Sequence, residues 1–409
     1  MKPFSIAVMG CRDIFGSALE QLVFKLQRDI SRLHQDARVN FLALDSPASD
    51  ASIAAAIGIL VSKRPEGRII NLSAVPSLRD FKANGTTAGH NSRLSIRPPL
   101  STKKPKVKIA LSFDFDALSA LLGTGDSPEN NLNDYSAGIF SGRVGGSRLL
   151  RMLQKHNIAD KVTWFIPGHT MESFESVCKD IAKSGAEIGL HGYAHEGASQ
   201  LTPAQQRDVL IKCMEVSQRL TGKRVRGYRA PMYDLRDNTV SLLRELGFLY
   251  DASLGHHDCQ PYLVPSDPPI QRIDFSQPAS SWMRPTQLAP VNTPGAHQLV
   301  ELPTNWHIED MMSMQYLPHL SNSQGHVDPC LMERLWKDRF LWFWENHGQG
   351  AGQEEGFIFP LLMHPDTSGM GHVIPMADRF IGWLRSWGDS VEFQTCGSIA
   401  GEWLKEQGL

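Results

Sequence analysis

The chain has 409 residues, 41% of them hydrophobic and 21% charged, which is an ordinary composition for a globular protein. Its formal net charge of -2 gives no basic surface for nucleic acid, and no apolar run is long enough to cross a membrane. The six cysteines show no C-x-x-C spacing, which argues against a zinc knuckle or a disulfide framework. The first apolar run meets Arg12 too early for a signal peptide, so we expect a cytoplasmic protein.

Residues 1–81 are predicted to form a small α/β unit of unknown role. Strand-like runs cover 4–9 and 39–44, and an amphipathic helix is predicted at about 18–33. Residues 82–106 follow, rich in Gly, Ser, Thr, Pro and Lys and without a clear hydrophobic period, which is typical of a linker. We therefore expect a second folded unit after this linker.

Residues 107–409 alternate between strand-like and helical periods. The predicted strands are 107–113, 162–166, 186–190, 225–229, 247–251, 298–302, 357–363 and 391–394. The predicted helices include about 147–156, 171–184, 203–221, 237–246, 330–346 and 375–387. Alternating strands and helices over this length predict an α/β fold, a distorted (β/α) barrel of seven or eight strands that is TIM-like.

Polar side chains with catalytic or metal-binding chemistry follow the predicted strands. In chain order they are Asp114 and Asp116, His169, His191 and His195, Arg229, and His364. In a barrel of parallel strands the carboxyl ends of the strands meet on one face, and barrel enzymes keep their active sites there. The sequence therefore predicts one polar site at this face.

Two carboxylates, Asp114 and Asp116, lie two residues apart in the segment "SFDFDA" at the end of the first barrel strand. Alternate residues of a strand share a face, so the two charges repel each other unless a cation lies between them. His191 and His195, four residues apart and predicted on a helical turn, are suited to binding the same ion. An exposed acidic turn and a chance histidine pair are the alternatives that these positions leave open.

Four motifs occur in chain order, "SFDFDA", "HGYAHE", "GYRAP" and "LLMHP". The flanking segments are "GRVGGSRLLRML", "GFLYDASL", "ELPTNW" and "SGMGH". Together they resemble the polysaccharide deacetylase family, the NodB-like carbohydrate esterase family 4 group. The resemblance covers about residues 105–409. It is closest to the intracellular subgroup of peptidoglycan-deacetylase-like and allantoinase-like proteins.

The resemblance implies a role for each of the main polar residues. One divalent metal ion, Zn²⁺, would be held by the residues that match the family's metal-binding triad, Asp116, His191 and His195. Asp114 matches the general base, and Arg229 matches the arginine that holds this base ionised. His364 matches the general acid that protonates the leaving amine.

The substrate pocket is less well defined by the resemblance. A backbone N–H near Met232 is expected to stabilise the oxyanion, although the family often has Tyr at this position. Candidate pocket residues are Trp306, Asp310, Glu301, Asp258 and His169, and ordinary packed or loop positions are the alternative for each. The aspartate that partners the catalytic histidine in secreted enzymes is not evident, so the residue that tunes His364 stays open.

These observations predict a metal-dependent hydrolase that acts on a carbon–nitrogen bond other than a peptide bond, in an amide or N-acetyl group. The absence of a signal peptide favours a small amide, an imide or an N-acetyl sugar as substrate. The alternative is a catalytically idle barrel that binds an N-acyl sugar or a small amide. No nucleic-acid or membrane partner is expected, and assembly into a homo-oligomer stays open.

Overall fold

The computed structural model describes residues 107–123, 131–265, 273–286, 298–315, 327–347 and 356–409, together with the backbone of three earlier strands. The chain divides into two compact units, Met1–Arg97 and Pro98–Leu409. The three strands of the first unit are β1 (Ser5–Cys11), β2 (Arg38–Leu44) and β3 (Arg68–Asn71). They form a parallel sheet with β1 in the centre.

The predicted strands at 4–9 and 39–44 overlap β1 and β2, whereas β3 was not predicted. The helix predicted at 18–33 and the linker predicted at 82–106 lie outside the described residues. The boundaries of that linker therefore stay a prediction.

Most of the described second unit is organised around one sheet of nine strands. They are β4 (Val107–Asp114), β5 (Thr163–Ile166), β6 (Glu187–Leu190), β7 (Gly227–Tyr228), β8 (Tyr250–Asp251), β9 (Tyr262–Leu263), β10 (Val300–Glu301), β11 (Phe357–Met363) and β12 (Val391–Phe393). The order is β11-β4-β5-β6-β7-β8-β10-β9, with β12 also paired to β4. All pairings are parallel except that of β9 with β10.

The two ends of this strand order are joined through irregular segments. The Ile358 N–H in β11 donates to the Cys259 carbonyl at 3.0 Å, and the Leu362 N–H donates to the Ile308 carbonyl at 3.3 Å. A parallel bridge pairs Glu309 with Leu362. The structure confirms the predicted distorted barrel, in which β9 is an additional short strand.

The helices lie between the strands. Those of the described second unit are α1 (Ala120–Gly123), α2 (Leu132–Phe140), α3 (Gly146–Lys155), α4 (Gly168–Ser173), α5 (Glu175–Lys183), α6 (Pro203–Thr221), α7 (Asp237–Glu245), α8 (Ala279–Trp282), α9 (Met311–Met314), α10 (Pro329–His347), α11 (Ile374–Arg385) and α12 (Cys396–Glu406). The helix predicted at 171–184 is in fact two helices, because Phe174 leaves the helical region with φ -122°. Within the described part of the chain, every helix is too short or too polar to span a bilayer.

An aromatic cluster packs α10 and α11 against the sheet. Phe340 of α10 is fully buried, and its ring centroid lies 5.3 Å from that of Phe359 in β11. It also lies 5.3 Å from the ring of Trp383 in α11 and 4.8 Å from that of Trp387. Such offset and edge-on ring pairs add stability beyond the apolar area that they bury. Phe340 therefore connects two helices to the strand that neighbours β4.

Replacing Phe340 with alanine is expected to lower the free energy of unfolding by about 3–5 kcal/mol, because the lost ring leaves a cavity in the core. The matched control is Trp342→Ala on the same helix, whose ring is 53% exposed, with an expected change of about 0.5 kcal/mol. Urea unfolding followed by circular dichroism measures both. Equal losses in the two variants would contradict the role of this cluster.

Candidate active site

The end of β4 brings two carboxylates into the interior of the barrel. Asp114 is 3% exposed and Asp116 is 4% exposed, so the alternative of an exposed acidic turn is wrong. Both face the same imidazole, since His191 Nε2 lies 3.6 Å from Asp114 Oδ2 and 3.4 Å from Asp116 Oδ1. The two side chains therefore reach one site, but not as alternate residues of one strand, because β4 ends at Asp114 and Asp116 begins the following 3-10 turn.

The two histidines reach this face from the loop after β6. His195 Nε2 lies 3.6 Å from Asp116 Oδ2, and the two imidazole rings lie 5.0 Å apart. The predicted helical turn is wrong, because Gly192 and His195 have left-handed backbone angles with φ of 67° and 63°. The loop, and not a helix, turns both rings toward Asp116.

The ligand atoms of Asp116, His191 and His195 all lie within 4.8 Å of one another. Asp116 Oδ1 is buried and has no hydrogen-bond partner among the described residues. His191 Nδ1 lies 2.8 Å from the Arg229 carbonyl, so it donates its proton there and leaves the Nε2 lone pair pointing at the aspartate. Burial raises the pKa of Asp116 well above its ordinary value and lowers the pKa values of both histidines. A carboxylate and two imidazoles with an unpaired oxygen fit a divalent ion such as zinc.

Arg229, at the end of β7, holds the other carboxylate. Its Nη1 donates to Asp114 Oδ1 at 2.7 Å and to the Ser112 hydroxyl at 3.1 Å, and its Nε donates to the Ala252 carbonyl at 2.9 Å. Its guanidinium lies over the Phe165 ring, 4.1 Å from the centroid. Burial by itself would raise the pKa of Asp114, but the charge and hydrogen bond of Arg229, together with the charges of His191 and His364, lower it below its ordinary value. Asp114 is therefore held as a carboxylate.

His364, after β11, has a buried aspartate as its partner. Its Nδ1 donates to Asp310 Oδ1 at 2.8 Å, and its backbone N–H donates to the same carboxylate. Its Nε2 lies 4.0 Å from Asp114 Oδ2. Burial opposes the charge on this ring, but the hydrogen bond and charge of Asp310 raise the pKa of His364 well above its ordinary value. Asp310 was predicted to line the pocket and is instead a fully buried partner of the histidine.

Glu301 also lies behind the pocket and not on its wall. It is fully buried and accepts the backbone N–H groups of Ser253 and Leu254 at 2.8 and 2.9 Å. Burial raises the pKa of Glu301 well above its ordinary value and that of its neighbour Asp251 to about 6. This carboxyl pair fixes the loop whose Ala252 carbonyl supports Arg229.

The remaining candidates divide between the pocket and its surroundings. Met232 and Trp306 line the pocket beside the Asp and His residues. His169 lies apart from it, with its ring nitrogens 3.2 Å from the Ser119 hydroxyl and 3.3 Å from the Ser173 hydroxyl. Asp258 is exposed and lies outside the pocket. His169 and Asp258 therefore do not line the described pocket.

Four polar pocket residues were not predicted, Tyr233, Glu309, Gln315 and Asp366. Gln315 donates to Asp366 Oδ2 at 2.7 Å, and the Tyr233 hydroxyl donates to Glu309 Oε2 at 3.1 Å. Two of them adjoin residues that the sequence did single out, since Glu309 precedes Asp310 and Asp366 follows His364 by two. The proximity of acidic residues to these motifs was the available signal.

Comparisons with known proteins give a matching family model and several relatives. A polysaccharide deacetylase family model matches residues 143–250. A peptidoglycan deacetylase-like protein of Gibberella zeae is 48% identical over 320 residues, which cover 78% of this chain and 93% of the relative. A peptidoglycan deacetylase of Helicobacter pylori is 35% identical over 300 residues, 73% of this chain and 97% of the relative.

Solved structures share the barrel. One from Mycobacterium smegmatis, described as a polysaccharide deacetylase, has a TM-score of 0.61 at 27% identity and covers 78% of this chain and 96% of its own. An allantoinase has a TM-score of 0.59 at 19% identity, with 80% of this chain and 99% of its own covered, and it shows similarity of fold alone. The near-complete match to two deacetylase relatives, on a barrel that gathers the motif residues at one face, shows that this chain belongs to the polysaccharide deacetylase family.

Proposed function

We propose that the chain is a metal-dependent deacetylase that hydrolyses the carbon–nitrogen bond of an N-acetyl group or a similar non-peptide amide. The observation that carries this proposal is the buried, unpaired Oδ1 of Asp116, which faces two imidazoles next to the separately held carboxylate of Asp114. The names of the two deacetylase relatives favour an N-acetylated sugar as the substrate.

Asp116, His191 and His195 would hold one divalent ion, and their oxygen and nitrogen donor set favours zinc. Such an ion, when bound, lowers the pKa of a water molecule and polarises the attacked carbonyl group. Without such an ion the site would be costly to maintain, because a buried oxygen of Asp116 lacks a hydrogen-bond partner among the described residues.

Asp114 acts as the general base that removes a proton from the attacking water. Its charge is maintained by Arg229, which lowers its pKa, and its Oδ2 faces His191, next to the proposed ion. The attack places a negative charge on the former carbonyl oxygen. Met232 lines the pocket in the first turn of a short 3-10 helix, where its N–H has no intrahelical acceptor, so we assign this N–H to the oxyanion.

His364 acts as the general acid. Asp310 raises its pKa, so the imidazole is protonated near neutral pH and can give its Nε2 proton to the departing nitrogen. The carbon–nitrogen bond then breaks to release an amine and a carboxylic acid. His364 and Asp114 lie on the same side of the pocket, with 4.0 Å between His364 Nε2 and Asp114 Oδ2, so the acid and the base serve one reacting centre.

Hydrolysis of a substrate panel tests the proposal. N-acetyl-oligosaccharides, cyclic imides and ureides are incubated with the zinc-loaded protein, with and without a chelator. We expect acetate release from the N-acetyl-oligosaccharides and its loss after chelation. Binding without turnover on every substrate would instead favour the idle barrel.

Substitutions of the two aspartates are expected to have different effects on metal content and turnover. Asp114→Asn should keep the metal but lower turnover by about 10²–10⁴-fold, the usual cost of losing an acid–base group. Asp116→Asn should lose metal and activity together, because it removes one of three protein ligands. Plasma emission analysis of both purified variants measures the metal, and full zinc content in Asp116→Asn would overturn the ligand assignment.

Asp310→Asn is expected to shift the alkaline limb of the pH profile of kcat/KM to lower pH. The reason is that Asp310 raises the pKa of His364, and the acid must be protonated to act, so losing the carboxylate charge makes His364 lose its proton at a lower pH. Asparagine keeps an acceptor for the His364 N–H groups, which limits the change to charge. An unaltered alkaline limb together with lower activity would show that Asp310 acts on structure alone.

A further inference from the structure

Glu309 is a buried carboxyl on the pocket wall that the proposed hydrolysis does not use. Its side chain is 2% exposed, and it lines the same pocket as Asp114 and His364. It follows β10 in a segment that bridges to Leu362 of β11, so its backbone is fixed by the barrel. The chain therefore holds this carboxyl in a defined position.

Only one of its two oxygens is satisfied. The Tyr233 hydroxyl donates to Glu309 Oε2 at 3.1 Å, whereas Oε1 is buried with no hydrogen-bond partner among the described residues. A buried acceptor without a donor costs free energy in the free protein. A bound ligand that supplies the donor removes this cost. Burial also raises the pKa of Glu309 to about 7, because the carboxylate form is poorly solvated there.

The aromatic neighbour of this carboxyl suits a ring-shaped ligand. Trp306 lines the pocket, is 41% exposed, and its ring lies 4.6 Å from that of Tyr233. Tyr233 thus contacts both Trp306 and Glu309. The exposed ring of Trp306 therefore lies near the unpaired Oε1 of Glu309. Apolar contact with a face and a hydrogen bond at an edge are how pockets orient small rings.

We infer that Glu309 is a specificity-determining residue whose Oε1 accepts a hydrogen bond from an O–H or N–H group of the substrate, while Trp306 contacts the substrate ring. The inference rests on the proposed function, since it concerns the same pocket. Two sources can supply this donor, a hydroxyl group of an amino sugar or the imide nitrogen of a small cyclic amide. A hydroxyl group also accepts hydrogen bonds, whereas an imide N–H only donates.

That difference makes Glu309→Gln a discriminating variant. Its side-chain oxygen can keep the Tyr233 hydrogen bond and turn its NH₂ group toward the ligand. A sugar hydroxyl can accept from this NH₂ group, but an imide N–H meets a second donor and is repelled. Glu309→Leu removes the acceptor for both ligands. Glu309→Asp keeps the charge and withdraws the oxygens by one methylene.

The experiment measures binding without turnover, by calorimetry on zinc-loaded Asp114→Asn protein. The probes are the N-acetylglucosamine trimer and succinimide. The titrations are run above the Glu309 pKa of about 7, so that the carboxyl is ionised. For the probe that binds, adding Glu309→Leu is then expected to weaken affinity by about 10- to 100-fold, which is typical for losing a hydrogen bond to a charged group. Adding Glu309→Asp is also expected to weaken the affinity. This variant replaces Glu309→Leu in the test if the leucine variant does not fold. With Glu309→Gln, sugar binding is retained and imide binding is lost.

Asp258→Asn, in the same background, is the matched control, because this carboxylate is exposed and lies outside the pocket. This substitution is expected to leave the affinity for each probe unchanged. Affinities that are unaltered by both Glu309→Leu and Glu309→Asp, or no binding of either probe to the Asp114→Asn protein, would overturn the inference. Glu309-dependent binding without hydrolysis by the unmodified chain would overturn the proposed function alone.

Discussion

The buried ion pair between Arg229 and Asp114 is the interaction on which the site depends. Taking both charges out of water is costly, and the structure offsets this cost with a 2.7 Å hydrogen bond, acceptors from Ser112 and Ala252, and the face of Phe165. These partners come from several strands of the barrel and their ends. Removing the arginine would leave Asp114 unpaired close to Asp116, so the ion pair holds this barrel face together and favours the ionised form of Asp114.

The pair also places two similar aspartates in different environments. Asp114 has a cation beside it and a lowered pKa, whereas Asp116 faces two imidazoles, lacks a partner for one oxygen and has a raised pKa. Environments that push two carboxyl pKa values apart are typical of sites that assign separate tasks to like residues. In this site the protein supplies the cation for one aspartate, and the other is suited to a metal ion.

Backbone strain is concentrated around the same pocket. His195, Met232 and Tyr233 are non-glycine residues with φ of 63°, 53° and 54°, in the left-handed region that costs energy for side chains with a Cβ atom. Each projects a group into the pocket that a regular helix or strand would direct elsewhere. The turn after β7 and the loop after β6 thus give up regular structure, and both contribute residues to one pocket.

The sequence determined the barrel, the family and the residues in the strand-end motifs, because each is a local signal: a buried run followed at once by a polar group. Eight strands were predicted for this reason, and so was the clustering of Asp114, His191, Arg229 and His364 at one face. Only the tertiary structure decided that Asp310 is the partner of His364 and that Glu309 lines the pocket. These contacts join the segment after β10 to the end of β11, more than fifty residues later, and depend on irregular segments that close the barrel. Adjacent acidic residues in such a segment look alike in sequence, and the direction of the backbone at each determines which of these two buried carboxyls bonds His364 and which lines the pocket.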